Sequence, residues 1–201
     1  GTVDAIVEAL HGEIVATTVS DPLGRPIQAR YGIAGATAII EMAAASGLPL
    51  LRPEERNPWL TSTHGTGEMI MDAIQKGCRQ FLVGIGGSAT NDAGTGMLQA
   101  MGFRFYDAND KEILHCCGGT MQDIVRIDDS NVPDSVRQST FTIACDVDTP
   151  FCGSEGAAPV FAPQKGADAA MVQQLDAGMV SLAKVIEDKY RINIVPIAGA
   201  G

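Results

Sequence analysis

The sequence predicts an α/β fold built on a mixed sheet with crossover helices. Three stretches carry that prediction. Residues 13–43 read as short strands joined by tight turns. Residues 67–101 read as helix, strand, glycine-rich turn and helix, and the stretch following residue 168 reads as a long helix with one apolar face. The first implies antiparallel pairing and the second a crossover between parallel strands, so together they predict a sheet of both kinds.

Taken in order, "VDAIVEALHG" looks like the end of a helix stopped by Gly12. "EIVATTVS" alternates as a strand does, and "DPLGRP" turns the chain, with Pro22 fixing φ and Gly24 tolerating a positive one. "IQARYGI" and "TAIIEMA" are further strands separated by Gly35. In "RPEERNPWLTSTHGTGEMIMDAIQKG" the second half is helical, because Met69, Ile70, Ala73 and Ile74 recur at helical spacing before Gly77. "RQFLVGI" is the next strand, and the glycine turn after it leads into a helix reaching Met101. Residues 103–139 are irregular, apart from a hairpin in "FRFYDANDKEI" that turns at Asn109–Asp110. "STFTIACDVDTPF" is a strand ending in acids, and "PVFAPQKGAD" a loop leading to the long helix. Met171, Leu175, Met179, Leu182 and Ile186 form the apolar face of that helix. "RINIVPIAGAG" reads as a last strand running into glycines. A helical start and a glycine-rich end give the expectation of a piece of a longer protein.

A chain of 201 residues is long enough for one domain with a proper core, and 45% apolar with 19% charged residues fits a globular protein. The most apolar run, "AIIEMAAASGLPLL", is broken by Glu41 and Pro49, so no membrane span is expected. The net charge of −10 argues against nucleic acid and anionic membrane surfaces as partners. It leaves room for a phosphorylated small molecule held by backbone N–H groups and a few bases. Five cysteines at irregular spacing, with no CxxC pair, read as reduced cytoplasmic thiols, and His115-Cys116-Cys117 lacks partners at metal-ligand spacing.

Four stretches are candidates for chemistry. In "GIGGSATNDAGTG" (84–96), Gly86, Gly87 and Ser88 expose N–H groups suited to an anion, and Ser88, Thr90 and Asn91 add side-chain donors. Asp92 fits an anion site less well; it suggests a metal ion, a substrate hydroxyl or a helix cap. The stretch is neither a Walker A motif, since no G-K-S/T follows, nor a clean dinucleotide fingerprint, since Ala89 stands at the third glycine position. Tight packing alone is the competing reading. In "ACDVDTPF", Asp146 and Asp148 lie one residue apart at a strand's C-terminal edge and point the same way by strand alternation; such a pair suits magnesium or a substrate proton. Lys165 in "FAPQKGAD" suits a phosphate. In "STHGTGE", Ser62, Thr63 and Thr66 donate to an anion or cap the helix, and His64 is a general base only if it has a partner.

Taken together, "IEMAAASGL", "RNPWLTSTHGTGE", "GIGGSATNDAGTGMLQAMG", "CDVDTPFCGSEGAAPVFAPQKGA" and the closing "AGAG" resemble the class-I bacterial glycerate kinases, collinearly and over essentially the whole chain. The resemblance implies ATP-dependent phosphorylation of glycerate with magnesium, in a two-lobed α/β protein whose active site lies between the lobes. Residues 1–201 are then a single α/β lobe. The family's N-terminal strand, its "PDSFK" stretch and its C-terminal strands are absent, and its "DGGEGT" segment survives as Gly1-Thr2. Thr149 and Phe151 stand where the family usually has Asn and Leu.

On this resemblance Gly86, Gly87 and Ser88 cradle an anion, with Thr90, Asn91, Ser62 and Thr66 as further binding residues. Asp92 or Asp146 takes the hydroxyl proton or holds magnesium, Asp148 is a second metal ligand, and Lys165 offsets charge on the transferred group. Glycerate and ATP are the implied partners, the location is cytoplasmic, and a homo-oligomer is allowed for. The rivals are a non-catalytic lobe that binds a small acid or phosphate and an NAD-type dehydrogenase, the latter disfavoured by the imperfect glycine fingerprint.

Overall fold

The computed structural model describes residues 2–201; Gly1, half of the expected Gly1–Thr2 remnant, lies outside the described residues. Helix α1 (Thr2–Ala9) is followed by β1 (Glu13–Ser20), β2 (Pro26–Ala34) and β3 (Thr37–Glu41). A short helix α2 (Ala43–Ser46) and two single turns lead to α3 (His64–Gln75), β4 (Gln80–Gly84) and α4 (Thr95–Ala100). Then come β5 (Arg104–Tyr106), β6 (Arg126–Asp128), α5 (Asp134–Arg137), β7 (Thr140–Ala144), α6 (Ala157–Phe161) and α7 (Ala169–Tyr190).

The main sheet runs β1-β2-β3-β4-β7. β1, β2 and β3 pair antiparallel, while β3–β4 and β4–β7 are parallel, with Ile39 opposite Leu82 and Leu82 opposite Thr142. The sheet is therefore mixed, as the two sequence patterns predicted. β3 is buried on both faces, which explains its unbroken Ala38-Ile39-Ile40 run. Ile39 meets Val3 and Val7 of α1 on one face, and Ala38 and Ile40 join Met69, Ile70, Ala73 and Ile74 of α3 on the other. A second cluster forms where Leu175, Met179 and Leu182 of α7 pack on Phe105, Met121 and Ile124, and Phe103 touches both large clusters. β7 is the far edge strand: all five of its residues are exposed, and Phe141 stacks on Phe81 at 4.9 Å between ring centroids. All five cysteines are free, as expected, and only Cys145 is exposed.

Three expectations are corrected. "RINIVPIAGAG" is not a strand: Arg191 ends α7 at φ 59°, the Asn193 side chain accepts from Val195 N, and Pro196 removes a ladder donor, so residues 192–201 run as turns. "PVFAPQKGAD" is not a loop but α6 and a 3₁₀ turn, Pro163–Lys165, opened by Pro163 and stopped by Gly166 at φ 103°. The turn at Asn109–Asp110 exists, held by the Asp107 carboxylate, but its return arm bridges Tyr106 only at Glu112. The ladder partner of β5 is β6, because the chain after Glu112 leaves to bury Cys116 and Cys117.

Helices α3 and α4 touch at Gly67. A Cβ there would lie 2.3 Å from Met97 O and 2.7 Å from Ala100 Cβ. Gly67→Ala should therefore cost about 1–3 kcal/mol of stability despite alanine's better helix propensity. Thermal melting should show a fall in Tm of several degrees.

Candidate functional site

The parallel strands β3, β4 and β7 all end on one side of the sheet, the side on which open α/β sheets bind ligands. The segments that leave them, with Lys165, enclose a cleft of about 510 Å³. Met42 follows β3, Gly86 to Gly94 follow β4, and Cys145 to Val147 follow β7. The floor is apolar, formed by Ile70, Met97, Met101, Phe141 and Ile143. Of the residues singled out in the sequence, Gly86, Gly87, Ser88, Thr90, Asn91, Asp92, Thr66, Asp146 and Lys165 line this cleft; Ser62 and Asp148 do not.

The glycine turn is pinned by backbone bonds. Leu48 N donates to Gly87 O and Ala89 N to Ser46 O, so the carbonyls and N–H groups that face α2 are used. The N–H groups of Gly86, Gly87 and Ser88 find no acceptor among the described residues. Gly87 sits at φ 73°, and a Cβ on Gly86 would meet nothing within 4 Å. Three free donors beside open space, with a left-handed residue among them, form the kind of backbone concavity that takes an anion. They lie well before α4, which starts only at Thr95, so the anion-attracting group here is the turn and not a helix end.

The end of that helix is occupied from within. Asp92 is buried, and Thr63 N, Thr63 Oγ1 and Gly96 N all donate to its Oδ2, at 2.8, 2.8 and 3.2 Å. Gly94 N donates to its Oδ1 at 3.1 Å. Ala93 and Gly94, at φ 51° and 72°, fold the chain back far enough for this. One carboxylate thus serves the first turns of both α3 and α4, the position a helix dipole favours for an anion. Burial pushes its carboxyl above the ordinary range, and the four donors pull against that rise.

Lys165 reaches the turn from the far end of the chain. Gly166 allows this, since a Cβ there would lie 2.1 Å from Arg56 O. The ammonium is buried and donates to Thr90 O at 2.6 Å and Ser88 Oγ at 2.7 Å. Burial depresses it to about 8 from the ordinary 10.5, while the Asp92 charge opposes the fall. Thr90 and Asn91 are buried too; the Thr90 hydroxyl has no partner among the described residues, and Asn91 Nδ2 has only Met179 Sδ at 3.4 Å.

The remaining candidates are placed as follows. Ser62 Oγ accepts from His64 N beneath the start of α3, and Thr66 Oγ1 pairs with Ser46 Oγ at 2.7 Å. His64 stands outside the cleft, 3.8 Å from Glu68, and Glu68 accepts from Ser20 N instead of closing a capping box. Asp146 and Asp148 are both exposed. β7 ends at Ala144, so strand alternation no longer aligns them and only Asp146 reaches the cleft. Among the described residues no group of three or more His, Cys, Asp or Glu side chains comes together as a metal site. Two supporting residues carry no local signal in the sequence: Ser46, and Asp176, which accepts from Gly153 N and ties the segment after β7 to α7.

The model of the glycerate kinase family matches residues 1–201. A glycerate kinase of Halalkalibacterium halodurans is 46% identical over 203 residues, covering 100% of this chain and 53% of that protein. The glycerate 2-kinase of Escherichia coli K12 is 42% identical with the same coverage. The crystal structure of a Salmonella typhimurium LT2 protein provisionally assigned as glycerate kinase 2 superposes with a TM-score of 0.95 at 42% identity, over 99% of this chain and 54% of that one. The chain spans about half the length of the relatives it matches.

Two outcomes follow from the geometry. Asp92→Asn must turn an NH₂ toward protein donors, at a cost of about 1–3 kcal/mol. Its Tm should fall by several degrees, whereas Asp146→Asn, on the exposed rim, should melt like the parent. Lys165 has a lower pKa folded than unfolded, so between about pH 8 and 10.5 the unfolded chain holds the proton the folded one has lost. Stability from this group therefore rises with pH across that window, by about 3 kcal/mol at most, and its burial penalty is fully present below pH 8. Denaturant titrations of Lys165→Met should lack the rise and show higher stability than the parent at pH 7.

Proposed function

We propose that this chain, which belongs to the glycerate kinase family, forms one lobe of a two-lobed cytoplasmic enzyme that transfers the γ-phosphoryl group of ATP to glycerate. The observation that carries the reading is the convergence, at the ends of three parallel strands, of three unpaired backbone donors with a buried lysine. Phosphoryl transfer asks a protein for positioning and charge neutralisation, and this is a site of that kind. The free thiols and the lack, among the described residues, of any helix long and apolar enough to cross a membrane support the location.

Gly86, Gly87 and Ser88 would hold phosphate oxygens through their N–H groups. Lys165 offsets the charge of the transferred group. Thr90 and Asn91, buried but short of partners, would orient the small acid. The residues present fit magnesium held mainly by the nucleotide: Asp146 has no hydrogen-bond or ion-pair partner among the described residues, and magnesium commonly takes one or two carboxylates with phosphate oxygens and water. Asp146, with Asp148 beside it in the chain, would be those carboxylates. When bound, the ion would neutralise developing charge on the phosphates. Asp92 keeps the turn and both helices in register.

A second reading, a lobe that binds a small acid without turning it over, is favoured by one observation: all of the Asp92 donors are internal, which leaves the buried part of the cleft without a free carboxylate base. Coupled measurement of ADP separates the two. The assembled enzyme should form ADP only with glycerate present, and Lys165→Met should lower kcat about a hundredfold with less change in KM. The chain of 201 residues alone should show no turnover. Calorimetric binding of glycerate with no ADP formed by the assembled enzyme would leave the binding lobe as the function.

A further inference from the structure

We propose that Ser88 and Lys165 form a proton relay that accepts the proton of the substrate hydroxyl as that oxygen attacks phosphorus; this rests on the kinase reading above. The geometry supports both end states without movement. Lys165 Nζ has two partners, Thr90 O at 2.6 Å and Ser88 Oγ at 2.7 Å. The carbonyl can only accept, so one N–H is committed to it. The contact with Ser88 runs either way: an ammonium donates to Oγ, and a neutral amine accepts from the Ser88 hydroxyl through its lone pair. Ser88 is half-buried and faces the cleft, next to the free N–H groups of Gly86 and Gly87.

The alternatives are spoken for. Both oxygens of Asp92 already accept from Thr63, Gly94 and Gly96. Asp146 is exposed on the rim, where magnesium would engage it, and His64 lies outside the cleft. Lys165 combines burial in the cleft with a protonation equilibrium close to neutral pH, at about 8. The charge that acts on it is Asp92, from the segment packed over it; Arg56 meets Gly166 through backbone and Cβ. Below pH 8 the ammonium predominates, and the share of neutral amine rises with pH toward that value.

In the step, the substrate O–H proton passes to Ser88 Oγ as the proton of Ser88 passes to Lys165 Nζ. The freed oxygen forms its bond to the γ-phosphorus, and the bond from that phosphorus to the bridging oxygen breaks, with ADP keeping the electron pair. Lys165 ends as an ammonium beside the new phosphate ester and returns its proton to water after release. Ser88 is the group that touches the substrate, and Lys165 acts through it.

Two measurements test the relay. The first is the pH dependence of Lys165 acetylation by acetic anhydride, read by peptide mass spectrometry on this chain; it needs no turnover. A midpoint near 8 is expected, and one at 10 or above overturns the relay. The second compares Ser88→Ala and Lys165→Arg in the assembled enzyme, with Tm as the control for folding. A guanidinium keeps the charge but does not deprotonate, so Lys165→Arg should lose kcat about a hundredfold. Ser88→Ala should lose a similar factor, together with the rise of kcat toward pH 8. If the parent is active but either folded variant keeps kcat within about threefold, the relay is wrong and the kinase reading stands. A parent that forms no ADP with glycerate sinks the kinase reading itself.

Discussion

The buried carboxylate of Asp92 is the constraint on which the site depends. Four protein donors from three residues in two stretches of chain meet on it: Thr63 at the start of α3, and Gly94 and Gly96 at the start of α4. An unpaired carboxylate at that depth would be strongly disfavoured, so the donors and the charge require one another. Gly96 shows how closely the parts fit, because a Cβ there would stand 2.1 Å from Ser62 Oγ and 2.9 Å from Asp92 Oδ2. Two left-handed residues in succession, Ala93 and Gly94, are the conformational cost of closing this knot.

That internal anion frees the glycine turn for an external one. With both helix starts satisfied by Asp92, the unpaired donors of Gly86, Gly87 and Ser88 stay open, seven to nine residues before Thr95, where α4 begins. Lys165 then stands between the Asp92 carboxylate and the turn proposed to hold a phosphate. Asp92 limits how far burial depresses the lysine, and the lysine in turn fixes Ser88 and the Thr90 carbonyl. A site organised in this way is set before anything binds, which is the condition under which electrostatic stabilisation of a transition state is most effective.

Much of the architecture was legible because it follows short periods. β1, β2 and β3, the α3 stripe at Met69, Ile70, Ala73 and Ile74, and the face of α7 all obey spacings of two or of three and four. Residues 192–201 misled because alternation in "INIVP" mimics a strand where Pro196 and the Asn193 turn prevent pairing. Asp146 and Asp148 misled for a related reason: the period-two rule ends where β7 ends. The glycine segment identified itself by composition. Its partner Lys165, 77 residues from Ser88, and the anchor Asp176, 23 residues from Gly153, are set by tertiary packing, and no local pattern announces such pairs.

β7 closes one side of the main sheet with Thr140 to Ala144 open to solvent on both faces, Ile143 and Phe141 among them. A short apolar edge strand with an unsatisfied row of N–H and C=O groups, without proline or charge along it, is adhesive toward other strands. Handled alone, this chain therefore carries its own nucleus for edge-to-edge self-association. Its colloidal behaviour at high concentration will be governed by five residues beside the cleft, against which the general repulsion of a net charge of −10 is the main defence.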